Sequence, residues 1–382
     1  MRITSQMMLS QYKSDVNDAY ATMTKAMRHA YNYRAFDRPS DDPLAAAQTS
    51  DVHWQMSLND DYSSNITNLK GVANTGEKLL QNVDGLLTEA NGTTTLKAIN
   101  GTMNAENRAS LATQLLSIRN DIVSQMNTKY ADSYIFSGTG STSPFELVKV
   151  DEDHPGNDKL YYRGVNVDTG LTKDEETKAA DYTKTINDPG KSTADKATAQ
   201  TALDGLDTAG TARLKTLAGE NNYIDIGLGL TVNNGKVDSQ SAYDSAMTGI
   251  SFLGYGTDSN GTPQNVCSLL SKISDALKSS SGEKLLNDSE LKTIKKYTDV
   301  FDKSQDTFEA GQSKVGNNIK FLDSTSDYLS DLKLNLADKD DNVEYVNPYD
   351  AIEEYYSQMY CYNASLKVGS QILQQSLMDY LK

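Results

Sequence analysis

The chain has few cysteines, no long apolar run and little basic charge for its length. Among 382 residues, 37% are hydrophobic, and the mean hydropathy is −0.57. No stretch reaches the roughly 18 apolar residues that a membrane-spanning helix requires. A compact globule of this length would bury more apolar side chains, so the composition favours an elongated helical bundle.

The shortage of cysteine and of basic residues excludes several kinds of site. Cys267 and Cys361 have no spacing typical of a zinc site or of a disulfide framework, and we expect both to be small buried side chains. With 36 basic and 52 acidic residues the net charge is −16, which argues against a nucleic-acid-binding protein and against binding to an anionic membrane. His29, His53 and His154 are too far apart in sequence for a local metal motif.

The N-terminus lacks the apolar run and small-residue cleavage site of a secretory signal. Taken alone, this indicates the cytoplasm, although it is compatible with export by a machine that reads an uncleaved N-terminus.

What the sequence does contain is a heptad pattern at each end. Apolar side chains recur at intervals of three and four residues, which is typical of a coiled-coil seam. The N-terminal seam is Met8, Tyr12, Val16, Ala19, Met23, Ala26 and Ala30. The C-terminal seam is Ile352, Tyr356, Met359, Asn363, Leu366, Ser370, Leu373, Leu377 and Tyr380, of which only Asn363 and Ser370 are polar.

Each terminal helix needs a partner, because neither apolar face is wide enough to be stable alone. Residues 1–38 carry six basic and three acidic side chains, and residues 350–382 carry two basic and four acidic ones, so the two ends are complementary in charge. We therefore predict a terminal coiled-coil assembly domain from residues 1–42 and 345–382. Its predicted interface side chains are Met8, Tyr12, Val16, Met23, Ile352, Met359, Leu366, Leu373 and Leu377. We expect the two seams to be unpaired in the single chain and to pair during assembly.

Three further helical patterns predict a rod bundle from residues 43–140 and 283–344. Asp42 can cap the first of these helices and Pro43 suits its first position, so we place that helix at 43–90, with a stop at Asn91-Gly92. Its seam is Leu58, Tyr62, Leu69, Val72, Leu79, Val83, Leu86 and Ala90. The other two helices are predicted at about 104–130 and 283–337. The heptad seam of the last helix is Leu291, Ile294, Phe301, Phe308, Val315, Ile319, Leu322 and Leu329. Glycines 71, 76 and 85 predict a kink or a close helix contact in the first helix.

Residues 141–282 have a different pattern and predict an inserted, β-containing domain. Segments 145–150 and 159–167 favour a hairpin. Residues 224–232 alternate strictly between apolar and other side chains and predict a strand, followed by an Asn-Asn-Gly turn at 233–235. Segment 172–218 is polar and fits short helices or a mobile insertion. The predicted fold class is thus mainly α, with a long bundle and this insertion.

No pattern of polar residues recommends catalysis, a cofactor or a metal. Gly190-Lys191-Ser192 lacks the earlier glycine of a phosphate-binding loop, since residue 185 is threonine. The acidic residues at 338, 340, 341 and 344 lack the frame of an EF-hand, and we interpret them as a solvated linker between two helices. We predict no enzyme.

Several segments have a family likeness in their order along the chain. They are Met1-Arg2-Ile3-Thr4-Ser5-Gln6-Met7-Met8, the loop Pro39-Ser40-Asp41-Asp42-Pro43 with Leu44-Ala45-Ala46-Ala47, Ala109-Ser110-Leu111-Ala112 with Ile118-Arg119, Tyr134-Ile135-Phe136-Ser137-Gly138-Thr139, and Gln371-Ile372-Leu373-Gln374-Gln375-Ser376-Leu377. With these segments at both ends of a heptad-rich chain, the sequence resembles the flagellin-like hook-associated protein 3 family.

The resemblance implies a structural subunit of the bacterial flagellum, forming the junction ring between hook and filament. It also implies export in an unfolded state by the flagellar type III apparatus, with a chaperone holding the C-terminal helix. The implied partners are further copies of the chain, hook-associated protein 1 and flagellin. The alternatives are a flagellin filament subunit, a coiled-coil adhesin or phage-tail subunit, and an enzyme carried in the insertion.

Overall fold

The computed structural model describes the backbone of residues 5–93, 104–150, 154–279 and 286–380. Contacts divide the chain into two compact units. We call residues 1–63 with 327–382 the terminal unit, and residues 64–326 the central unit. Within the described ranges, no helix is both long enough and apolar enough to cross a membrane.

The fold is mainly helical, as predicted, with small antiparallel sheets in the middle of the chain. The helices are α1 Ser5–Asn32, α2 Pro43–Thr93, α3 Ala105–Met126, α4 Lys173–Asn187, α5 Thr193–Ala218, α6 Gly249–Leu253, α7 Val266–Ser279, α8 Asp288–Glu344 and α9 Pro348–Tyr380. The strands are β1 Lys129–Tyr130, β2 Ser133–Tyr134, β3 Phe145–Val148, β4 Lys159–Tyr162, β5 Val165–Asn166, β6 Tyr223–Ile224, β7 Val232–Asn233, β8 Lys236–Val237 and β9 Tyr243–Asp244. The division into three domains remains a prediction.

Helix α8 buries one side chain at every seventh residue. These side chains are Ile294, Phe301, Phe308, Val315 and Leu322 in the central unit, and Leu329 and Leu336 in the terminal unit. All but Leu336 belong to the predicted seam, so the heptad reading of this helix is confirmed. The helix is longer than predicted, because it continues to Glu344.

The buried stripe of α2 differs from the predicted seam by one residue at half of its positions. Leu69, Val83 and Ala90 are buried as expected. At four of the other five positions the buried residues are Asn59, Ala73, Leu80 and Leu87, each one place after the predicted apolar residue, and Tyr62 is half-buried. Asn59 is polar, so a search for apolar residues does not find this buried position. Its side-chain amide nitrogen donates to the Leu329 carbonyl oxygen at 3.1 Å, which gives the buried donor a hydrogen-bond partner.

Glycines 71 and 76 allow close contacts in the central unit, but their nearest neighbours lie in β1 and in the loop before α6, so neither glycine makes the expected contact with another helix. A Cβ at Gly71 would overlap the Tyr130 hydroxyl, and one at Gly76 would press on Met247. The predicted stop at Asn91-Gly92 is wrong, because α2 continues through both residues. The Asn91 amide instead donates to Asp302 and Gln305 of α8, at 2.9 and 3.0 Å.

The central unit has a core built from α2, α3, α7, α8 and the three-stranded sheet β3-β4-β5, with further side chains from α5 and α6. Strands β3 and β4 form the predicted hairpin, with Phe145 opposite Tyr162. An ion pair is enclosed in this core: Arg119 Nη1 lies 2.8 Å from Asp158 Oδ2, and both side chains are almost fully buried. Ser271 accepts a second hydrogen bond from Arg119 at 2.8 Å.

Segment 172–218 forms two helices rather than a mobile insertion. Thr172 and Glu175 cap α4 reciprocally, and Ser192 caps α5 by accepting from the Asp195 amide at 3.1 Å. Arg213 of α5 then holds α4 by donating to both oxygens of Glu175, at 2.6 and 2.9 Å. The apparent phosphate-loop remnant at 190–192 is therefore a helix start.

The predicted strand at 224–232 is wrong. Only Tyr223–Ile224 and Val232–Asn233 are extended and paired, in two separate sheets. Gly227 and Gly229 have φ values of 88° and 80°, a conformation that breaks an extended path and that glycine adopts readily. The turn that follows is confirmed, because Asn234-Gly235 connects the β7–β8 hairpin.

Candidate functional site

The two terminal helices pack against each other within one chain. The rings of Tyr20 in α1 and Tyr362 in α9 have centroids 5.6 Å apart. Further along, Tyr12 of α1 lies so close to Gly369 of α9 that a Cβ there would overlap its ring. The expectation that these helices are unpaired in the single chain therefore differs from the structure, in which α1 and α9 already form a pair.

The N-terminal seam agrees with the burial pattern of α1 at most positions. Tyr12, Val16 and Met23 are half-buried, and Ala26 is buried. Met8 is the exception among the predicted interface residues, because half of its surface is exposed.

The C-terminal seam is one residue out of step with the covered face of α9. The buried or half-buried positions that recur at intervals of four and three are Ala351, Tyr355, Gln358, Tyr362, Ser365 and Gly369. Each predicted seam residue in this stretch follows one of them. Since one residue rotates an α-helix by about 100°, the predicted seam forms a separate face beside the one that α1 covers.

We call Ile352, Tyr356, Met359 and Leu366 the outer stripe of α9. Ile352, Tyr356 and Leu366 are 40%, 59% and 41% exposed, and Met359 is half-buried. Leu373 and Leu377 lie in α9, but their side chains fall outside the described residues. The stripe is thus apolar and largely uncovered in the single chain.

Exposed apolar side chains are concentrated in the terminal unit. The described residues contain 23 exposed large hydrophobic side chains, and all but six lie in residues 1–63 or 327–382. The six in the central unit are Tyr130, Val150, Leu228, Leu230, Val232 and Phe321. Contiguous exposed apolar patches are typical of interaction surfaces, whereas exposed apolar side chains scattered singly need no explanation.

The family loop, Pro39-Ser40-Asp41-Asp42-Pro43, is an exposed connection that starts α2. Asp41 Oδ2 accepts from the Arg38 amide at 3.0 Å, and Asp42 Oδ1 accepts from the Ala45 amide at 3.0 Å. Asp42 therefore caps the helix, as predicted. These hydrogen bonds give the loop a structural role in setting where α2 begins.

The connections at the inner ends of the terminal helices are joined by backbone hydrogen bonds. The Ala35 amide donates to the Glu344 carbonyl oxygen at 2.8 Å, and the Val346 amide donates to the Tyr33 carbonyl oxygen at 2.9 Å. This short antiparallel bridge ties the α1–α2 connection to the α8–α9 connection. Both terminal helices therefore leave the same point of the terminal unit.

The central unit contains a cavity of about 1320 Å³. Its carboxylates are already engaged: Glu220 accepts from Arg163 at 2.6 Å and from the Thr139 hydroxyl at 2.7 Å. Asp244 accepts from the Asn222 amide at 2.9 Å. Burial would raise the pKa of Glu220, but the hydrogen bonds from Thr139 and Arg163 lower it on balance. The cavity lining thus offers no pair of carboxylates free for acid–base chemistry.

Comparison with known proteins tests the family resemblance inferred from the sequence. No family model matches the chain. Over 148 residues it is 30% identical to flagellar hook-associated protein 3 of Salmonella typhimurium, a match covering 38% of this chain and 46% of that protein. Over 151 residues it is 29% identical to flagellar hook-associated protein 3 of Escherichia coli, covering 39% and 47%. The resemblance to hook-associated protein 3 is confirmed.

The chain nevertheless spans less than half the length of these curated relatives. A solved structure from Vibrio parahaemolyticus, itself only inferred to be a flagellar hook-associated protein, superposes with a TM-score of 0.52 at 17% identity. That match covers 80% of this chain and all of the solved one, and it supports the fold.

Proposed function

We propose that this chain is a non-enzymatic structural subunit of the bacterial flagellum that assembles through its terminal unit. The observation that carries the proposal is the group of uncovered apolar side chains on that unit, above all the outer stripe of α9. The likeness to hook-associated protein 3 supports the flagellum as the assembly in which this surface is used.

The junction ring between hook and filament is the proposed location. Its proposed partners are neighbouring copies of the chain, hook-associated protein 1 on the hook side and flagellin on the filament side. The names of the curated relatives favour this location over a filament subunit. The proposed route is export by the flagellar type III apparatus without a cleaved signal, with a chaperone covering the C-terminal helix until export.

In the proposed mechanism, α1 and α9 are paired before assembly, and neighbouring copies cover what the pair leaves exposed. Completely burying an aliphatic or aromatic side chain contributes roughly 1.5–3 kcal/mol. Ile352, Tyr356 and Leu366 are each about half covered already, so each gains about half of that on contact with a neighbour. Such small gains favour assembly only when several neighbours contribute, which suits a ring and disfavours premature pairing of free subunits.

A matched pair of triple variants tests the proposal. Replacing Ile352, Tyr356 and Leu366 with alanine removes the three exposed side chains of the outer stripe while leaving the α1-facing side of α9 unchanged. Replacing Leu228, Leu230 and Val232 with alanine removes a comparable set of exposed apolar side chains from the central unit.

When each variant is expressed beside the unaltered chain, we expect the first to be absent from flagella sheared off the cells, and the second to be incorporated normally. Circular dichroism should show wild-type helix content in both. Normal incorporation of the outer-stripe variant would refute assembly through this surface. Immunogold labelling addresses the location, since a junction subunit gives one band and a filament subunit gives staining along the filament. Deletion of the gene should leave intact hooks without filaments and release flagellin into the medium.

A further inference from the structure

One cluster of titratable side chains in the terminal unit plays no part in the proposed assembly. His53 of α2 faces Asp340 and Glu344 of α8, which stand four residues apart on one side of that helix. The His53 Nε2 atom lies 3.1 Å from each Asp340 oxygen and 3.3 Å from Glu344 Oε2. The interpretation of residues 338–344 as a solvated linker is therefore wrong, because they form the last turns of α8.

The cluster has more hydrogen-bond acceptors than the imidazole ring has hydrogens to offer them. An imidazole nitrogen carries at most one hydrogen, and carboxylate oxygens carry none when ionised. Three carboxylate oxygens nevertheless surround a single ring nitrogen within 3.3 Å. Asp340 Oδ1 has no accessible surface and no hydrogen-bond partner among the described residues. The Glu344 side chain is only 8% exposed, so water does little to solvate it.

The separations between these atoms suit a shared metal ion. With zinc–nitrogen and zinc–oxygen bonds of about 2.0–2.2 Å, two ligand atoms of a tetrahedral site lie about 3.4 Å apart. The His53 nitrogen lies 3.1 Å from the nearest oxygen of Asp340 and 3.3 Å from that of Glu344. All three ligand atoms lie within 4.8 Å of one another. One imidazole with two carboxylates is a donor set that suits zinc and similar divalent transition metals better than calcium or magnesium.

One of the two carboxylates, Glu344, is also held by an arginine outside the cluster. Arg34 Nη2 donates to Glu344 Oε1 at 2.8 Å, which leaves Oε2 turned towards His53. Hydrogen bonds of this kind orient a ligating carboxylate and offset part of its charge.

We propose that His53, Asp340 and Glu344 bind a divalent transition-metal ion of the zinc class, with Arg34 orienting Glu344. The ion links α2 to the end of α8, next to the backbone bridge between residues 33–35 and 344–346. It thereby holds the point from which both terminal helices leave. This inference does not depend on the flagellar assignment.

Isothermal titration of the full chain with Zn²⁺ at pH 7.5 tests the site. We expect saturable binding of one equivalent, weakened by about tenfold or more in His53→Gln and in Asp340→Asn, since changing even an outer partner of a metal ligand typically costs about 10–100-fold in affinity. His53 is 53% exposed, so its replacement leaves the core intact, and circular dichroism checks both folds.

The control variant is His154→Gln. His154 Nδ1 lies 3.3 Å from Asp275 Oδ1, and within the described ranges it belongs to no group of three metal-ligating side chains. This variant should bind Zn²⁺ as the unaltered chain does. The inference is overturned if no saturable binding is seen, if both site variants bind as tightly as the unaltered chain, or if His154→Gln loses binding equally. Displacement of Zn²⁺ by equimolar Ca²⁺ or Mg²⁺ would contradict the proposed metal class.

Discussion

We predict that replacing a glycine of α5 with alanine stabilises the chain at one position and destabilises it at another. Gly210 packs against the turn before α4, where a Cβ would overlap the backbone carbonyl oxygen of Thr169. Gly205 lies in the same helix and has nothing within 4 Å of an added Cβ. Each is helical, so alanine gains about 0.8–1.0 kcal/mol of intrinsic helix stability at either site.

At Gly210 this gain is outweighed by a clash that no side-chain rotation can relieve. Overpacking in a closely packed site costs about 1–3 kcal/mol. Here the obstructing atoms are backbone, so α5 must move away from Gly170, whose carbonyl oxygen accepts from Arg213 at 2.7 Å. We place the cost towards the upper end of that range. Subtracting the helix gain leaves Gly210→Ala destabilised by about 1–2 kcal/mol.

Urea unfolding followed by far-UV circular dichroism measures both variants against the unaltered chain. The midpoint should rise for Gly205→Ala and fall for Gly210→Ala, with unchanged slopes, so that the two variants differ by about 2–3 kcal/mol. If Gly210→Ala proved as stable as Gly205→Ala, the close packing of α5 on the turn would be refuted.

Three other predictions follow from buried groups. Arg119→Met leaves the buried Asp158 carboxylate unpaired, which should lower the free energy of unfolding by about 3–5 kcal/mol in urea titrations. Burial raises the pKa of Asp168 to about 7, whereas the pKa of an unfolded aspartate is about 3.9. Between about pH 4 and 7 the Asp168 carboxyl is therefore protonated in the folded chain and ionised in the unfolded chain. Stability should therefore fall as pH rises from about 4 to 7, and Asp168→Asn should flatten that fall. Cys361 is exposed, contrary to expectation, and should react with maleimide in the native chain, whereas the buried Cys267, its pKa raised to about 12 by burial, should not.

Each of these has a control within the chain. Lys173 pairs with Glu146 at 2.9 Å, but both side chains are more than half exposed, so Lys173→Met should cost less than about 1 kcal/mol. Equal costs at Arg119 and Lys173 would contradict the account of the buried pair. For Asp168, a pH profile that stays unchanged in Asp168→Asn would count against its raised pKa. Equal labelling of both cysteines would mean that α7 is not packed as described.

The seams of α1 and α8 could be predicted from the sequence because their covered positions are apolar. In α9 the same reasoning identified the wrong face, since α1 covers Gln358, Ser365 and Gly369, which are polar or small. A small residue such as Gly369 lets the helices approach closely and leaves no apolar signal. The apolar pattern of α9 instead marks the outer stripe, which the single chain leaves uncovered.

Other features depend on contacts between distant parts of the chain. His53 and Asp340 are 287 residues apart, so no local motif could reveal their pairing. The alternation at 224–232 predicted a strand. The prediction failed because the spacing of apolar side chains carries no information about the φ angles of the glycines between them. Glycines at 227 and 229 adopt positive φ, which turns that segment away from an extended path.

Accessibility of the outer stripe before and after assembly tests the central claim most directly. Tyr356→Cys, in a chain with Cys361→Ser that keeps only the buried Cys267, should react with maleimide in the free subunit and be protected in isolated flagella. Lys178→Cys, on the exposed face of α4 in the central unit, should react in both states and serves as the control. Full labelling of position 356 in isolated flagella would show that the outer stripe of α9 is not an assembly surface.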